Sequence, residues 1–167
     1  MKIGFLKETR EGETRVSITP TVAKNLLKMG FEILVESGAG LGASCLDADY
    51  QDAGAETVDR KKVYEADILV QVNIPDEAIF NDIPKGKIWI STLQHRNNPE
   101  LISKMNEKGI SAVSLDAIPR ISRAQSMDIL SSQANLAGYR AVIEGAYQLD
   151  KIFPLLMTAA GTVTPAK

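Results

Sequence analysis

At 167 residues the chain can bury one sizeable core and is too short for two ordinary domains. Hydrophobic residues make up 44% and charged residues 24%, a globular mix that excludes the disordered and fibrous classes. Nineteen Lys and Arg against twenty-one Asp and Glu leave a net charge of -2 and a pI near 5.5, which argues against a partner such as nucleic acid.

No apolar run approaches the roughly 20 residues that cross a bilayer, so direct membrane insertion is not expected. The start, MKIGFLKETREGETR, breaks into charge after six residues and lacks the apolar stretch of a signal peptide. Cys45 is the one cysteine and His95 the one histidine, which argues against a disulfide and against a protein-only zinc site. The chain reads as cytoplasmic and metal-free.

In chain order, strands and helices alternate. Residues 2–6 form a short apolar strand, followed by a charged loop through Arg15. Thr19 as N-cap and Pro20 in the first turn open a helix with Val22, Leu26 and Leu27 on one face, stopped by Gly30. A second strand over 32–36 leads into the loop SGAGLGAS and a helix over 47–53 that ends at Gly54. Strands follow at 67–72, 87–91 and 111–115, with a helix over 99–108 closed by Gly109 between the last two. Near-continuous apolar strands separated by helices predict a mainly parallel sheet covered on both faces, a three-layer α/β/α domain with its sheet core in residues 1–118.

The stretch after Pro119 differs in kind. Residues 109–150 contain no Lys, and their positive charge comes from Arg120, Arg123 and Arg140. Arg carries a planar five-donor fork suited to fixed geometry, whereas Lys is a mobile point charge. Residues 127–150 read as a long helix. Ser131, Ala134, Gly138, Ala141 and Gly145 form a stripe of small side chains along it. Gly inside a helix costs about 1 kcal/mol against Ala, so the stripe needs a reason. Close approach of another backbone is one, and burial of the helix within its own domain is the other. Tyr139 and Tyr147 read as packing residues on this helix.

Residues 38–43 follow a strand and satisfy G-x-G-x-x-G/A, the dinucleotide fingerprint. That fingerprint requires the glycine turn to run straight into a helix whose N-terminus holds the pyrophosphate. Here Ala43 to Leu46 intervene, Asp47 looks like the helix cap, and Glu36 places a carboxylate just ahead of the glycines. A structural or substrate-facing loop is expected, not a phosphate cradle.

Residues 119–131 form the candidate site, with Arg120, Gln125, Asp128 and Ser131 at its centre. The stretch follows the last strand, and ligands of open α/β sheets sit outside the carboxyl ends of strands. It holds no Cys, His or Lys to act as nucleophile or Schiff base, so its chemistry is positioning, with the reactive centre supplied by a bound molecule. The plainer reading is a helix start, with Ser126 as cap and Asp128 complementing the dipole.

The run RISRAQSMDILSSQANLAGYRAVIEGAY, followed by FPLLMTAAGTVTPAK, closely resembles the NAD-binding alpha subunit of proton-translocating NAD(P) transhydrogenases. Glu8, Glu13, Arg15, Val16, Pro20, Leu27, Gly30 and ESGAGLGAS resemble the signature that this subunit shares with alanine dehydrogenases. The resemblance covers essentially the whole chain. It implies a domain of the formate/glycerate dehydrogenase catalytic type, flavodoxin-like, plus the long C-terminal helix. It also implies direct hydride transfer from NADH to NADP+ coupled to proton translocation. Arg120, Gln125 and Asp128 then take the catalytic positioning role, and with Ser131 they contact the nicotinamide of NAD(H). Arg120 and Asp128 would form a charge-assisted pair, Gln125 would swing between the carboxamide and NADP-domain contacts, and Ser131 would donate to the carboxamide.

The implied partners are a Rossmann NAD-binding domain of the same subunit, NADP-binding and membrane domains, and a second copy in a homodimer. The implied location is cytoplasmic, peripheral to the inner membrane through partner subunits. Residues 151–167 would be an interdomain segment, and the Rossmann half of the cleft lies outside this chain. The isolated chain is therefore expected to be inactive and to bind NAD+ weakly.

Departures from the relatives matter as well. Alanine dehydrogenases place a Lys, a His and an Arg around their keto acid; the Arg matches Arg15, the Lys aligns with Asn73 and the His with Gln94 or, one register on, His95. Loss of the Lys removes a cation expected for a carboxylate substrate and favours transhydrogenase. Arg15 is expected to pair with an acid such as Glu8, or to face the cleft. An amino-acid dehydrogenase substrate domain and a non-catalytic truncated interaction module stand as alternatives.

Overall fold

The computed structural model describes residues 1–166. Lys167, the last residue of the expected interdomain segment, lies outside them. The described residues divide at Pro119 into two compact units, Met1–Pro119 and Arg120 onward.

The first unit is built on six parallel strands: β1 (Lys2–Phe5), β2 (Glu32–Glu36), β3 (Glu56–Val58), β4 (Ile68–Val70), β5 (Ile88–Ser91) and β6 (Ser111–Ser114). Their order across the sheet is β3-β2-β1-β4-β5-β6. Ile3 stands between Ile33 and Ile68, and Phe5 between Val35 and Val70, so the central strand pairs on both sides. The five strands expected from sequence are all present. The sixth, β3, adds only three residues at one edge.

Strand alternation sends side chains to two faces, and two cores result. On one face Ile3, Phe5, Ile33 and Val35 pack with Ala23 of α1 (Pro20–Lys28) and Tyr50 of α2 (Asp47–Asp52). On the other, Leu6, Leu34, Leu69 and Trp89 pack with α3 (Arg60–Val63), α4 (Glu77–Asp82) and α5 (Pro99–Glu107) through Val63, Phe80 and Met105. Gly4 lets α3 approach β1 closely: a Cβ there would lie 2.7 Å from Val63 Cγ1 and 2.8 Å from the Val63 carbonyl oxygen. Trp89 is fully buried, and its indole N–H donates to Ser91 Oγ at 2.9 Å, so its polar end is satisfied.

The helix ends follow their sequence signals. Thr19 caps α1 by accepting from the Val22 N–H, with Pro20 in the first turn. Asp59 and Asp76 cap α3 and α4 by accepting from Lys62 and Ile79 N–H groups. At the other end of α4, the Lys108 ammonium donates to the carbonyls of Phe80, Asn81 and Ile83 at 2.8, 2.9 and 3.2 Å. A cation there offsets the helix dipole and satisfies carbonyls that the helix cannot.

The second unit contains the 3-10 turn Ser122–Met127, the helix α6 (Ile129–Gln148) and a hairpin of β7 (Leu156–Thr158) and β8 (Gly161–Val163). The long helix begins at 129 rather than 127, because Asp128 and not Ser126 is its cap. One Asp128 oxygen, Oδ1, accepts from the N–H groups of Leu130 and Ser131 at 3.0 and 3.2 Å. No residue of α6 is buried. Tyr139 and Tyr147, expected to pack, are 70% and 82% exposed. Among the described residues no helix is long and apolar enough to cross a membrane.

Candidate functional site

In the first unit, the strand order reverses between β1 and β4, and the loops leaving their carboxyl ends meet there. Such a reversal opens a crevice at the sheet edge. A cavity of about 290 Å³ lies at this edge, lined by Thr9 and Arg10 after β1, Asn73, Ile74 and Asp76 after β4, and Thr92 and Gln94 after β5.

Asn73 is the hub of this edge. Its side-chain amide donates to Glu8 Oε2 at 3.0 Å and to Glu13 Oε2 at 2.8 Å. Glu8 also accepts from the backbone N–H groups of Val72 and Asn73, at 2.6 and 3.2 Å. Arg15 grips Glu13 with Nε at 2.8 Å and Nη2 at 2.7 Å, a two-point ion pair. The expected acidic partner of Arg15 was Glu8; the two-point partner is Glu13, and Glu8 adds only a charge effect on Arg15. Hydrogen bonds from the Arg15 guanidinium outweigh burial and, with help from the Asn73 amide, hold the Glu13 carboxyl at about 2.

Gln94 joins two cavities. It lines the one just described and a second, of about 520 Å³, with His95, Arg96 and Asp116. Its backbone is left-handed, φ 46°, a conformation that non-glycine residues rarely adopt. Several bonds hold it there: its N–H donates to Asp116 Oδ1 at 3.3 Å, and its carbonyl accepts from the Asn97 and Asn98 N–H groups and the Asn98 amide. Burial pushes the Asp116 carboxyl up, but the Ser114 hydroxyl and the backbone N–H groups around it prevail and leave it below its ordinary value.

The glycine loop is structural in its geometry. A Cβ on Gly40 would lie 2.6 Å from the Cys45 carbonyl oxygen and 2.8 Å from the Tyr50 ring, and one on Gly42 would lie 2.8 Å from the Thr14 carbonyl oxygen. The loop is thus packed against its own chain where a phosphate would need room. Asp47, expected as the cap of α2, is instead its first residue. Its carboxylate turns back to accept from the Gly38 N–H at 2.8 Å and from the Ser37 hydroxyl. Glu36 is buried and paired with Arg60 Nε at 3.0 Å.

In the second unit, Gln125 lies in the 3-10 turn and Ser131 in the first turn of α6, joined by the cap Asp128. The Ser131 hydroxyl donates to Asp128 Oδ2 at 2.6 Å, the strongest of the influences holding Asp128 below its ordinary value. Arg120 acts on Asp128 by charge alone and is the weakest of those influences. Among the described residues no hydrogen bond joins the two. Asp128 spends its acceptors on the helix start, so the expected charge-assisted pair gives way to a cap. Arg120 and Gln125 are exposed.

A parallel α/β unit with its polar groups at the carboxyl edge is the substrate-side architecture of a nucleotide-dependent oxidoreductase. The comparisons agree on which one. Residues 4–137 match the family described as "Alanine dehydrogenase/PNT, N-terminal domain", and the chain belongs to that family. It is 46% identical to the first of the separately encoded pieces of the NAD(P) transhydrogenase alpha subunit of Rhodospirillum rubrum, over all of this chain and 45% of that one. The transhydrogenase structure from Sinorhizobium meliloti superposes with a TM-score of 0.94 at 40% identity, covering 99% of this chain and 50% of that one. An L-alanine dehydrogenase structure gives 0.85 at 26% identity, covering 99% and 46%. The chain thus spans about half the length of the relatives it matches.

Proposed function

We propose that this chain is the portion of an NAD(P) transhydrogenase alpha subunit that positions the nicotinamide of NAD(H). The observation that carries the reading is the graded similarity: 40% identity with a TM-score of 0.94 to a transhydrogenase, against 26% and 0.85 to an alanine dehydrogenase. The amino-acid dehydrogenase alternative and the non-catalytic module draw less support from it.

The donor set of residues 119–131 suits a carboxamide. The Gln125 amide, exposed and with no side-chain partner among the described residues, offers one donor edge and one acceptor edge. Ser131, whose proton goes to Asp128, presents lone pairs and so would accept from a carboxamide rather than donate to it. Arg120 adds an exposed guanidinium on the same stretch. The nicotinamide, when bound, supplies the hydride; these side chains orient the ring and hold it against rotation. Direct transfer to NADP+ needs two rings in register and no protein acid or base.

The partners on this reading are a Rossmann NAD-binding domain of the same subunit, NADP-binding and membrane domains that couple transfer to proton movement, and a second copy of the subunit. The surface of α6 supports a covered role. None of its residues is buried, and a Cβ on Gly138 would meet nothing within 4 Å, so the small-residue stripe has no reason among the described residues. The test is single-turnover hydride transfer in the complete enzyme carrying Gln125→Ala. A rate roughly tenfold or more below wild type, with the fold unchanged by circular dichroism, supports the role. An unchanged rate overturns it. Calorimetry on the isolated chain should find only weak NAD+ binding.

A further inference from the structure

We infer that Glu13 is a specificity-determining residue: its carboxylate is a tethered occupant of the Arg15 fork and the Asn73 amide, and it bars small free carboxylates from the carboxyl-edge crevice. The inference goes beyond the transhydrogenase reading and does not depend on hydride transfer.

A guanidinium fork beside a side-chain amide, at the mouth of a polar cavity, is what a small carboxylate needs for two-point binding. Here that arrangement is complete but filled from within. Glu13 Oε1 and Oε2 take Nε and Nη2 of Arg15, and Oε2 takes the Asn73 amide as well. The second amide contact of Asn73 goes to Glu8, so neither amide proton is left for a ligand. The Glu13 side chain is only 10% exposed, which shields the pair from water.

Tethering decides the competition. Glu13 is two residues from Arg15 and is further held by the Arg15 backbone N–H at 2.9 Å. A ligand attached by so short a link acts at an effective concentration of order mM or above. A free carboxylate must displace it and also overcome repulsion from Glu8. With its carboxyl held at about 2, Glu13 stays ionised near neutral pH, so the occupant does not leave by protonation. Arg10 lines the same cavity but is exposed, and a solvated guanidinium without fixed partners holds a carboxylate weakly.

The test uses oxamate, a stable small oxo-carboxylate, titrated into the 167-residue chain and followed by NMR and calorimetry. Wild type should show no saturable binding, and its Arg15 Nε–H signal should stay in place. Glu13→Gln, which keeps the shape and removes the charge, should raise affinity roughly tenfold or more. The gain should vanish in Glu13→Gln combined with Arg15→Met, and Glu13→Asp should fall between wild type and Glu13→Gln. A folded Glu13→Gln that gains no binding overturns the inference. So does a wild-type Arg15 Nε–H signal that shifts saturably with oxamate, a result that holds even if the Gln variant fails to fold.

Discussion

Trp89 and Tyr147 are both large aromatics, yet the first has no exposed surface and the second is 82% exposed. The contrast extends to their units. Among the described residues every buried hydrophobic side chain except Ala124 precedes residue 120, whereas 15 of the 21 large exposed ones follow it. The first unit buries its apolar residues against its own helices, as a domain that folds alone must. The second carries apolar residues around a helix none of which is buried, a pattern that belongs to helices with covered faces. The lesson is that residues 1–119 specify a fold by themselves, while 120–166 specify a surface for other protein to complete.

Core truncation should divide the units most sharply. Trp89→Ala should cost ~3–5 kcal/mol in denaturant unfolding of this chain. Leu136→Ala on α6, 59% exposed, should stay within about 0.5 kcal/mol. A large loss at Leu136 in the isolated chain would break the distinction.

Glycine substitutions should differ in sign. Gly40→Ala puts a Cβ 2.6 Å from the Cys45 carbonyl oxygen and should destabilise by about 1–3 kcal/mol. Gly138→Ala meets open space inside a helix and should stabilise the isolated chain by up to about 1 kcal/mol. Thermal melts of the two variants measure both. In the complete enzyme, Gly138→Ala should lose that benefit if another backbone lies on the stripe.

Acid titration sharpens the comparison further. The Glu13 carboxyl is lowered from 4.5 to about 2 in the folded chain. Its contribution to stability is therefore fully present above pH 4.5 and is lost as pH falls through about 2. The gap in Tm between wild type and Glu13→Gln should hold steady above that range and close within it. The smallest effect is expected at Asp128: Asp128→Ala should release hydrogen-exchange protection at Leu130 and Ser131 while leaving the first unit's melting unchanged.

The long elements were legible because each carries its own periodicity and punctuation. Thr19-Pro20 and Gly30 bracket α1, and the β2 bounds, Glu32–Glu36, agree to the residue. Elements of three to six residues were not: β3, α3, α4 and the β7–β8 hairpin are too short to show a repeat, and the rest of the structure holds them in place. At the candidate site, residue type pointed to the polar stretch but not to its bonding. Ser126 and Asp128 were both plausible caps, and only geometry selects Asp128. Glu8 and Glu13 were equivalent in composition, and the turn at residues 10–13 brings Glu13 onto Arg15. Gln94 gave no signal, since a left-handed backbone at a glutamine leaves no mark in its sequence.

The triple anchorage of Lys108 bears on the surface chemistry of the molecule. A primary amine whose three protons are all engaged by carbonyls of Phe80, Asn81 and Ile83 is a poor nucleophile toward acylating reagents. Of the twelve lysines, it would be labelled last under native conditions, and its modification would report the fraying of α4 and not the accessibility of its own side chain.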